Sequence, residues 1–171
     1  MLLEPQFRTP ATDDIWSPPA RLRRMLDFEA ALAEVQAELG LIPVDAAGTI
    51  ARVCAQAALD PDKVFGGAAM AGNPAIVFAG HLTRLVGEVD AAASSWVHYG
   101  ATSQDLIDTA TMLGLRDTVE AVLDDAAALA DALAALAGLH AETPLAGRTL
   151  LQQATPVTFG VKAALWATAV D

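Results

Sequence analysis

The sequence is short of cysteine, of aromatic residues and of basic residues, and each shortage excludes a class of function. Its single cysteine, Cys54, cannot form an internal disulfide, and its apolar, helix-forming neighbours predict a buried small side chain and not a nucleophile. Ten Lys and Arg against 21 Asp and Glu leave a net charge of −11. Because nucleic acids are bound by clustered basic side chains, this composition excludes a nucleic-acid partner. A small anionic ligand is still compatible with it, because the local field of a site can oppose the net charge.

Long apolar runs and metal-binding patterns are missing as well. No stretch of about eighteen apolar residues is free of charge, Gly or Pro, which argues against a membrane-spanning helix and a membrane partner. The first five residues lack the basic start and apolar middle of a signal peptide, so we expect a cytoplasmic protein. The three histidines are scattered and Cys54 has no CxxC or HExxH companion, so neither a metal nor another cofactor is predicted.

What the chain has in abundance is alanine and leucine at helical spacing. Strict alternation and glycine-turn hairpin signals are absent, so we predict an all-α fold without substantial β structure. Proline and glycine separate the helices of the first half, and Asn73 followed by Pro74 is a good N-cap with proline in the first turn. The expected elements are an irregular start through Pro19 and helices over about 20–39, over 45–58, from Pro61 with breaks at Gly66, Gly67 and Gly72, and from Asn73 onward.

A heptad seam dominates the second half. Apolar residues recur at alternating spacings of four and three from Gln104 to about Leu139 without a proline, which predicts one helix of about 36 residues, roughly 54 Å long. Additional leucines widen its apolar stripe, so the helix should pack among several others, some of them from other subunits. A loop is then expected over 144–154. Thr155-Pro156 has the N-cap and proline of a last helix, 157–170, apolar nearly all round.

The predicted architecture is therefore a small N-terminal helical domain, 1–95, followed by the first helices of a central long-helix bundle, 96–171. The last helix is so apolar that it belongs inside a larger bundle, and the chain stops at Asp171 without a C-cap. We expect the chain to be truncated there.

A polar turn, 96–110, precedes the long helix and carries the strongest signal for a site. Thr102 and Ser103 are residues that cap helices, and Thr102-x-x-Asp105 fits a capping box. The free N–H groups of such a helix start, together with the positive end of its dipole, favour a bound carboxylate or phosphate. The spacing alone leaves two interpretations open, namely helix caps only or an anion site.

Two segments together, 96–110 and 147–160, resemble the first two conserved regions of the fumarase/aspartase superfamily. The segment 9–33 and the piece 71–74 are most similar to its 3-carboxy-cis,cis-muconate cycloisomerase branch. The resemblance implies a small helical domain, then a long-helix bundle that assembles into a homotetramer, with active sites built from several subunits. It covers essentially the whole chain.

The resemblance also implies a chemistry and a set of site residues. In this branch a carboxylate of a small tricarboxylate substrate adds to a neighbouring double bond and forms a lactone, while negative charge builds on another carboxylate. His98 is expected to donate a hydrogen bond in the site and not to transfer a proton to the substrate, and Arg148 either supplies charge or anchors its loop. His81 and His140 are expected to be structural. The substrate-binding residues are predicted to be Asn73, His98, Thr102, Ser103, Gln104, Arg148, Thr149 and Gln152.

Two departures from the superfamily pattern refine this hypothesis. A third region, a Gly-Ser-Ser-rich loop that carries the serine taken as catalytic base, is absent, so the chain by itself is expected to be inactive. Leu150 replaces a histidine of the lyases, and Asn73 takes the place of another catalytic histidine of adenylosuccinate lyases. Since leucine cannot transfer a proton, the cycloisomerase branch is favoured. An adenylosuccinate-type lyase and a non-catalytic helical oligomerisation module are the alternatives.

Overall fold

The computed structural model describes residues 8–170, and helices make up most of them, as the all-α prediction requires. The helices are α1 (Pro10–Ile15), α2 (Pro18–Glu38), α3 (Val44–Gln56), α4 (Pro61–Ala71), α5 (Pro74–Val89), a 3₁₀ turn (Ala93–Trp96), α6 (Ser103–Leu139) and α7 (Phe159–Val170). Short strands lie between α6 and α7: β1 (Pro144–Leu145), β2 (Arg148–Thr149), β3 (Gln152–Gln153) and β4 (Val157–Thr158). Within the described residues no helix is both long and apolar enough to cross a membrane.

The chain forms two compact units that divide between Thr118 and Val119, partway along α6. The first unit contains α1 to α5, the 3₁₀ turn and the start of α6. The second contains the rest of α6, the short strands and α7. The domain boundary expected between residues 95 and 96 stays a prediction.

The core of the first unit lies between α2, α3 and α5. Its largest fully buried apolar side chains are Phe78, Met25, Ile50, Leu82 and Leu106. Burying a side chain of this size contributes about 1.5–3 kcal/mol, so this cluster is what holds the unit together. Cys54 is fully buried in the same core, and burial raises the pKa of its thiol to about 12. The prediction of a buried cysteine is confirmed.

The N-terminal segment is more regular than the sequence suggested. The irregular start expected through Pro19 is wrong, because α1 occupies part of it and α2 begins at Pro18. Thr9 and Thr12 form a reciprocal capping box at α1, and the Ser17 hydroxyl accepts the amide of Ala20 at 3.3 Å. These side-chain caps satisfy amides that a helix start would otherwise leave unpaired, so they stabilise the first turns of α1 and α2.

The break expected at Gly66 and Gly67 is also wrong, because α4 runs through both and ends at Ala71, with Gly72 as its C-cap. A Cβ atom on Gly67 would lie 3.2 Å from Val77 Cγ1, so this glycine lets α4 and α5 approach closely. Gly72 has a φ of +86°, a left-handed value that glycine adopts without penalty. Asn73 then caps α5 as predicted, its Oδ1 accepting the amides of Ala75 and Ile76.

From α6 onward the chain holds one confirmed prediction and two departures. The predicted long helix is confirmed as α6, which is 37 residues long. The segment 144–154, expected to be a loop, contains short strands that form two antiparallel pairs, β1 with β4 and β2 with β3. The last helix begins at Phe159 and not at residue 157, because Val157 and Thr158 pair with β1. Thr158 and not Thr155 accepts the first-turn amide, at 3.3 Å from Val161 N.

Candidate active site

The predicted site residues fall into two groups, one in each compact unit. The first unit carries Asn73, His98, Thr102, Ser103 and Gln104, and the second carries Arg148, Thr149 and Gln152. Each group is described within its own unit.

The turn before α6 is held in an unusual backbone conformation. His98 has a φ of +57° and Gly100 a φ of +70°, and both values are left-handed. Glycine adopts such angles freely, whereas for a residue with a Cβ they cost roughly 1–2 kcal/mol. The rings of Trp96 and Tyr99 pack edge to face beside it, with centroids 4.9 Å apart. A histidine stays in this conformation only where its surroundings hold it there.

Two polar side chains of α2 hold this turn. Glu29 accepts the His98 backbone amide at 3.1 Å with Oε2, and its Oε1 lies 2.6 Å from His98 Nδ1. The side chain of Glu29 is 1% exposed and that of His98 is 18% exposed. Gln36 donates from Nε2 to the carbonyl of Tyr99 at 2.7 Å, and its Oε1 is buried without a hydrogen-bond partner in residues 8–170.

The sequence alone did not predict the roles of Glu29 and Gln36, although their spacing on α2 is informative. Glu29 and Gln36 lie seven residues apart, two helical turns, on the same face as Leu22, Met25 and Ala33. A carboxylate and an amide on an otherwise apolar buried face need polar partners. Their spacing could have indicated that they bind a polar segment, but not which one.

The environment of His98 favours its charged form. The hydrogen bond to Glu29 raises the pKa of His98 above its usual value, burial opposes the rise, and the negative charges of Glu29 and Asp105 add to it. With Nδ1 engaged by Glu29, Nε2 is left without a hydrogen-bond partner in the described part of the chain. The ring can therefore offer Nε2 to a ligand. The predicted donor role needs a proton on that nitrogen.

Thr102 is occupied by its own helix. Its hydroxyl lies 3.0 Å from Asp105 Oδ2 and accepts the Asp105 amide at 3.3 Å, while its backbone amide donates to the same carboxylate at 2.8 Å. These bonds lower the pKa of Asp105. The predicted capping box is confirmed, and it uses the Thr102 hydroxyl as both donor and acceptor.

Ser103 and Gln104 follow as the first residues of α6. The Ser103 hydroxyl makes no hydrogen bond within residues 8–170, and neither do the backbone amides of Ser103 and Gln104. The Gln104 side chain donates to Asp108 Oδ1 at 2.5 Å. The free donors at this helix start are thus the Ser103 hydroxyl and two amides, which suits a carboxylate.

Asn73 lies between α4 and α5. Its Oδ1 is engaged in capping α5, whereas its Nδ2 has no hydrogen-bond partner among the described residues. Asn73 is half-buried, so its side chain can both cap the helix and offer its amide donor to a ligand.

The second group lies on a short β-hairpin, in which β2 and β3 are joined by a two-residue turn. Thr149 and Gln152 are direct cross-strand partners, and Arg148 pairs with Gln153. Leu150 and Leu151 form the turn and are 84% and 99% exposed. All three predicted site residues of this hairpin are exposed.

Arg148 and His140 of the second unit differ in how many contacts they make with the rest of the unit. Arg148 has no hydrogen-bond or ion-pair partner in the described part of the chain, and it lines an open groove together with Lys162, Val161 and Leu165. His140 bonds Thr143 Oγ1 at 3.1 Å and packs its ring on Phe159, as a structural histidine would. Among residues 8–170, no three His, Cys, Asp or Glu side chains cluster in a way that could hold a metal ion.

The chain is similar to known proteins along nearly its whole length. It is 43% identical over 163 residues to a 3-carboxy-cis,cis-muconate cycloisomerase of Pseudomonas putida, covering 95% of this chain and 39% of that relative. The crystal structure of 3-carboxy-cis,cis-muconate lactonizing enzyme from Pseudomonas putida superposes with a TM-score of 0.91 at 43% identity, covering 96% of this chain and 37% of that one. An N-acetyl-S-(2-succino)cysteine lyase of Enterococcus italicus is 40% identical over 169 residues, covering 97% of this chain and 36% of its own length.

The family assignment follows from the same comparisons. The chain spans little more than a third of the length of these relatives. Residues 6–171 match the protein family described as lyases. Both the conserved-region motifs and the helical fold agree with that match. The chain therefore belongs to the lyase family, within the fumarase/aspartase superfamily.

Proposed function

We propose that the protein carrying this chain converts 3-carboxy-cis,cis-muconate to 4-carboxymuconolactone, a step of protocatechuate and aromatic degradation. The observation that carries the proposal is the similarity to a 3-carboxy-cis,cis-muconate cycloisomerase over nearly all of this chain. The hairpin agrees with it, because Leu150 stands exposed at its turn where lyases of the superfamily carry a histidine. A reaction that needs that histidine would lack its proton carrier.

The reaction is an internal addition in which the tricarboxylate trianion takes up one proton and becomes a lactone dianion. One carboxylate oxygen bonds to a carbon of the neighbouring double bond, and the electron pair of that bond moves toward a second carboxylate. Protonation of the adjacent carbon then forms the new C–H bond. An enzyme for this reaction must hold three carboxylates and stabilise the one that gains negative charge.

The first unit offers suitable donors for such a carboxylate. They are the Ser103 hydroxyl, the amides of Ser103 and Gln104, and a protonated His98 Nε2. A helix N-terminus adds its partial positive charge at the same place. Thr102 supports this group by fixing the start of α6, and Asn73 offers its free amide. Arg148, Thr149 and Gln152 are proposed to contact the substrate from the hairpin.

The complete enzyme is proposed to be a cytoplasmic homotetramer whose sites combine residues from several subunits. The superfamily serine taken as catalytic base, which must deliver the proton in the lactonising direction, is proposed to lie on the Gly-Ser-Ser-rich loop, which this sequence does not contain. No cofactor is invoked, because addition and proton transfer need none. We expect the isolated chain to bind substrate weakly and not to turn it over.

A second candidate activity is that of an N-acetyl-S-(2-succino)cysteine lyase. The 40% identity to such an enzyme favours it, since it is close to the identity with the cycloisomerase. An adenylosuccinate-type lyase and a non-catalytic oligomerisation module are the remaining alternatives. They predict fumarate release and no turnover, respectively.

The activities separate in one set of assays on the complete protein that carries this chain. Lactonisation removes one of two conjugated double bonds, so 3-carboxy-cis,cis-muconate should lose ultraviolet absorbance without release of a second product. N-acetyl-S-(2-succino)cysteine should yield no free thiol, and adenylosuccinate should yield no fumarate. Release of thiol or fumarate with no loss of the diene would overturn the cycloisomerase proposal. No turnover of any substrate would favour the oligomerisation module.

A further inference from the structure

Glu29 is the least exposed charged side chain of α2, and its carboxylate bonds a single residue in the turn before α6. Both of its oxygens bond His98, one to the backbone amide and one to Nδ1. A buried carboxylate is costly unless it is hydrogen-bonded, and an apolar side chain at this place would pack on Met25 and Ala33 without that cost. The arrangement therefore serves the conformation of His98.

We propose that Glu29 is a positioning residue: its carboxylate holds the left-handed turn at His98 and fixes the ring with Nδ1 as a donor, so that Nε2 is the nitrogen presented to the substrate. This inference deepens the proposed function and rests on it, because the ligand of Nε2 is taken to be a carboxylate of the substrate. Glu29 itself does not touch the substrate. It acts through His98.

Of the two side chains Glu and Gln, only the carboxylate can accept hydrogen bonds from both partners at once. The backbone N–H of His98 is always a donor, so one acceptor oxygen is needed there. The second oxygen faces Nδ1 at 2.6 Å and selects the form in which Nδ1 carries a proton. In a Glu29→Gln variant the single carbonyl oxygen must take the backbone amide. The new NH₂ group then faces Nδ1 and forces the imidazole proton onto Nε2.

The two enzymes should then differ in how the ring meets a carboxylate. In the wild type, Nε2 donates only when the ring is the doubly protonated imidazolium. Above the pKa of His98 it presents a lone pair to the anion and repels it. In Glu29→Gln the neutral ring donates from Nε2 at every pH, but without a positive charge. Among the described residues, the charged groups that act on the ring are Glu29 from α2 and Asp105 from α6, and both favour the imidazolium in the wild type.

The first test is the pH dependence of KM for 3-carboxy-cis,cis-muconate in the complete protein. At about pH 6 the KM of Glu29→Gln should be about three- to tenfold above that of the wild type, the difference between a charge-assisted and a neutral hydrogen bond. The wild-type KM should rise with pH through the raised pKa of His98, while the variant's stays flat. The two curves should therefore approach and cross before about pH 9.

The control is Glu38→Gln, the same change at an exposed position on the same helix. It should follow the wild-type curve. A Glu29→Gln variant whose KM is raised by one constant factor at every pH would overturn the positioning role, because a merely structural defect has no reason to remove the pH dependence. In a His98→Gln background, Glu29→Gln should add no further change in KM.

A second measurement does not depend on turnover. The exchange rate of the His98 amide hydrogen, followed by mass spectrometry, should rise about tenfold or more in Glu29→Ala and stay slow in Glu29→Gln. Unchanged exchange in Glu29→Ala would overturn the holding role. If the wild type does not turn over 3-carboxy-cis,cis-muconate, the proposed function fails and the substrate-facing half of this inference fails with it. The exchange rates still decide whether Glu29 holds the turn.

Discussion

A hydroxyl group that is already used by its own helix makes a poor ligand for a substrate, and this separates Thr102 from Ser103. Thr102 both donates to and accepts from Asp105, whereas the Ser103 hydroxyl has no partner in the described residues. We expect Thr102→Ala to lower the free energy of unfolding by about 1 kcal/mol, the usual cost of a lost cap, with a small change in KM. Ser103→Ala should raise KM several-fold and leave stability unchanged. Urea unfolding and steady-state kinetics of both variants test this pair.

The two variants are matched controls for each other. The opposite pattern, in which Ser103→Ala loses stability and Thr102→Ala loses affinity, would assign the substrate contact to Thr102. Loss of affinity in neither variant would mean that the start of α6 is only capped and holds no anion.

At the residue scale, the sequence predicted local contacts better than distant ones. The capping box between Thr102 and Asp105 and the cap from Asn73 need only neighbours in the chain, and both are confirmed. The bond between Glu29 and His98 joins residues 69 positions apart. No local pattern encodes such a pairing, because it depends on how α2 packs against the turn before α6.

At the element scale, the junction between α6 and α7 depends on one glycine. A Cβ on Gly160 would lie 2.6 Å from the carbonyl oxygen of Ala137 and 2.7 Å from that of His140. These are backbone atoms and cannot move aside as a flexible side chain can. We therefore expect Gly160→Ala to lower the free energy of unfolding by about 1–3 kcal/mol, through overpacking.

Gly138 provides the control, because it lies in α6 and a Cβ atom added there would meet no other atom within 4 Å. Gly138→Ala should stabilise the protein by roughly 0.5–1 kcal/mol, since alanine loses less entropy in a helix than glycine does. Denaturant unfolding of the two variants gives the comparison. Equal effects of the two substitutions would contradict the close approach of α7 to the end of α6.

The same junction shows why the start of α7 was mispredicted. Thr155-Pro156 has the residues of a helix start, but Val157 and Thr158 pair with Pro144 and Leu145. The amides of Phe159 and Gly160 then donate to carbonyls of Thr143 and His140, each at 2.9 Å. Pairing with a preceding segment thus overrides the local signal. In contrast α6, which has a strong heptad pattern, matches its prediction within one residue.

At the scale of the whole molecule, the apolar residues of α6 and α7 that remain exposed are the feature in need of explanation. They include Val122, Leu123, Leu129, Leu139 and Leu165, each at least half exposed. Large apolar side chains left exposed in this number are typical of a surface that binds a partner. It supports the proposal that these helices pack in a bundle that further chain segments complete.

We expect Leu129→Asp to split the assembly of the complete protein. The proposed bundle would cover this half-exposed position, and burying a carboxylate there is costly. Size-exclusion chromatography with light scattering should show a mass several times that of one chain for the wild type and a smaller mass for the variant. Asp131→Asn is the matched control, because residues two apart lie on roughly opposite faces of a helix, and it should keep the wild-type mass. An unchanged mass for Leu129→Asp would place the subunit contacts elsewhere.

The sequence by itself determined the helical class, α6, the caps at Thr102 and Asn73, the burial of Cys54 and the family resemblance. All of these depend on composition, periodicity or contacts between neighbours in the chain. Only the tertiary structure decided that Glu29 and Gln36 hold the turn at His98, that short strands come before α7, and that the hydroxyl of Ser103, unlike that of Thr102, has no partner within residues 8–170. Hydrogen bonds between distant segments form only once packing brings their partners together, and no short stretch of sequence determines which segments pack against each other.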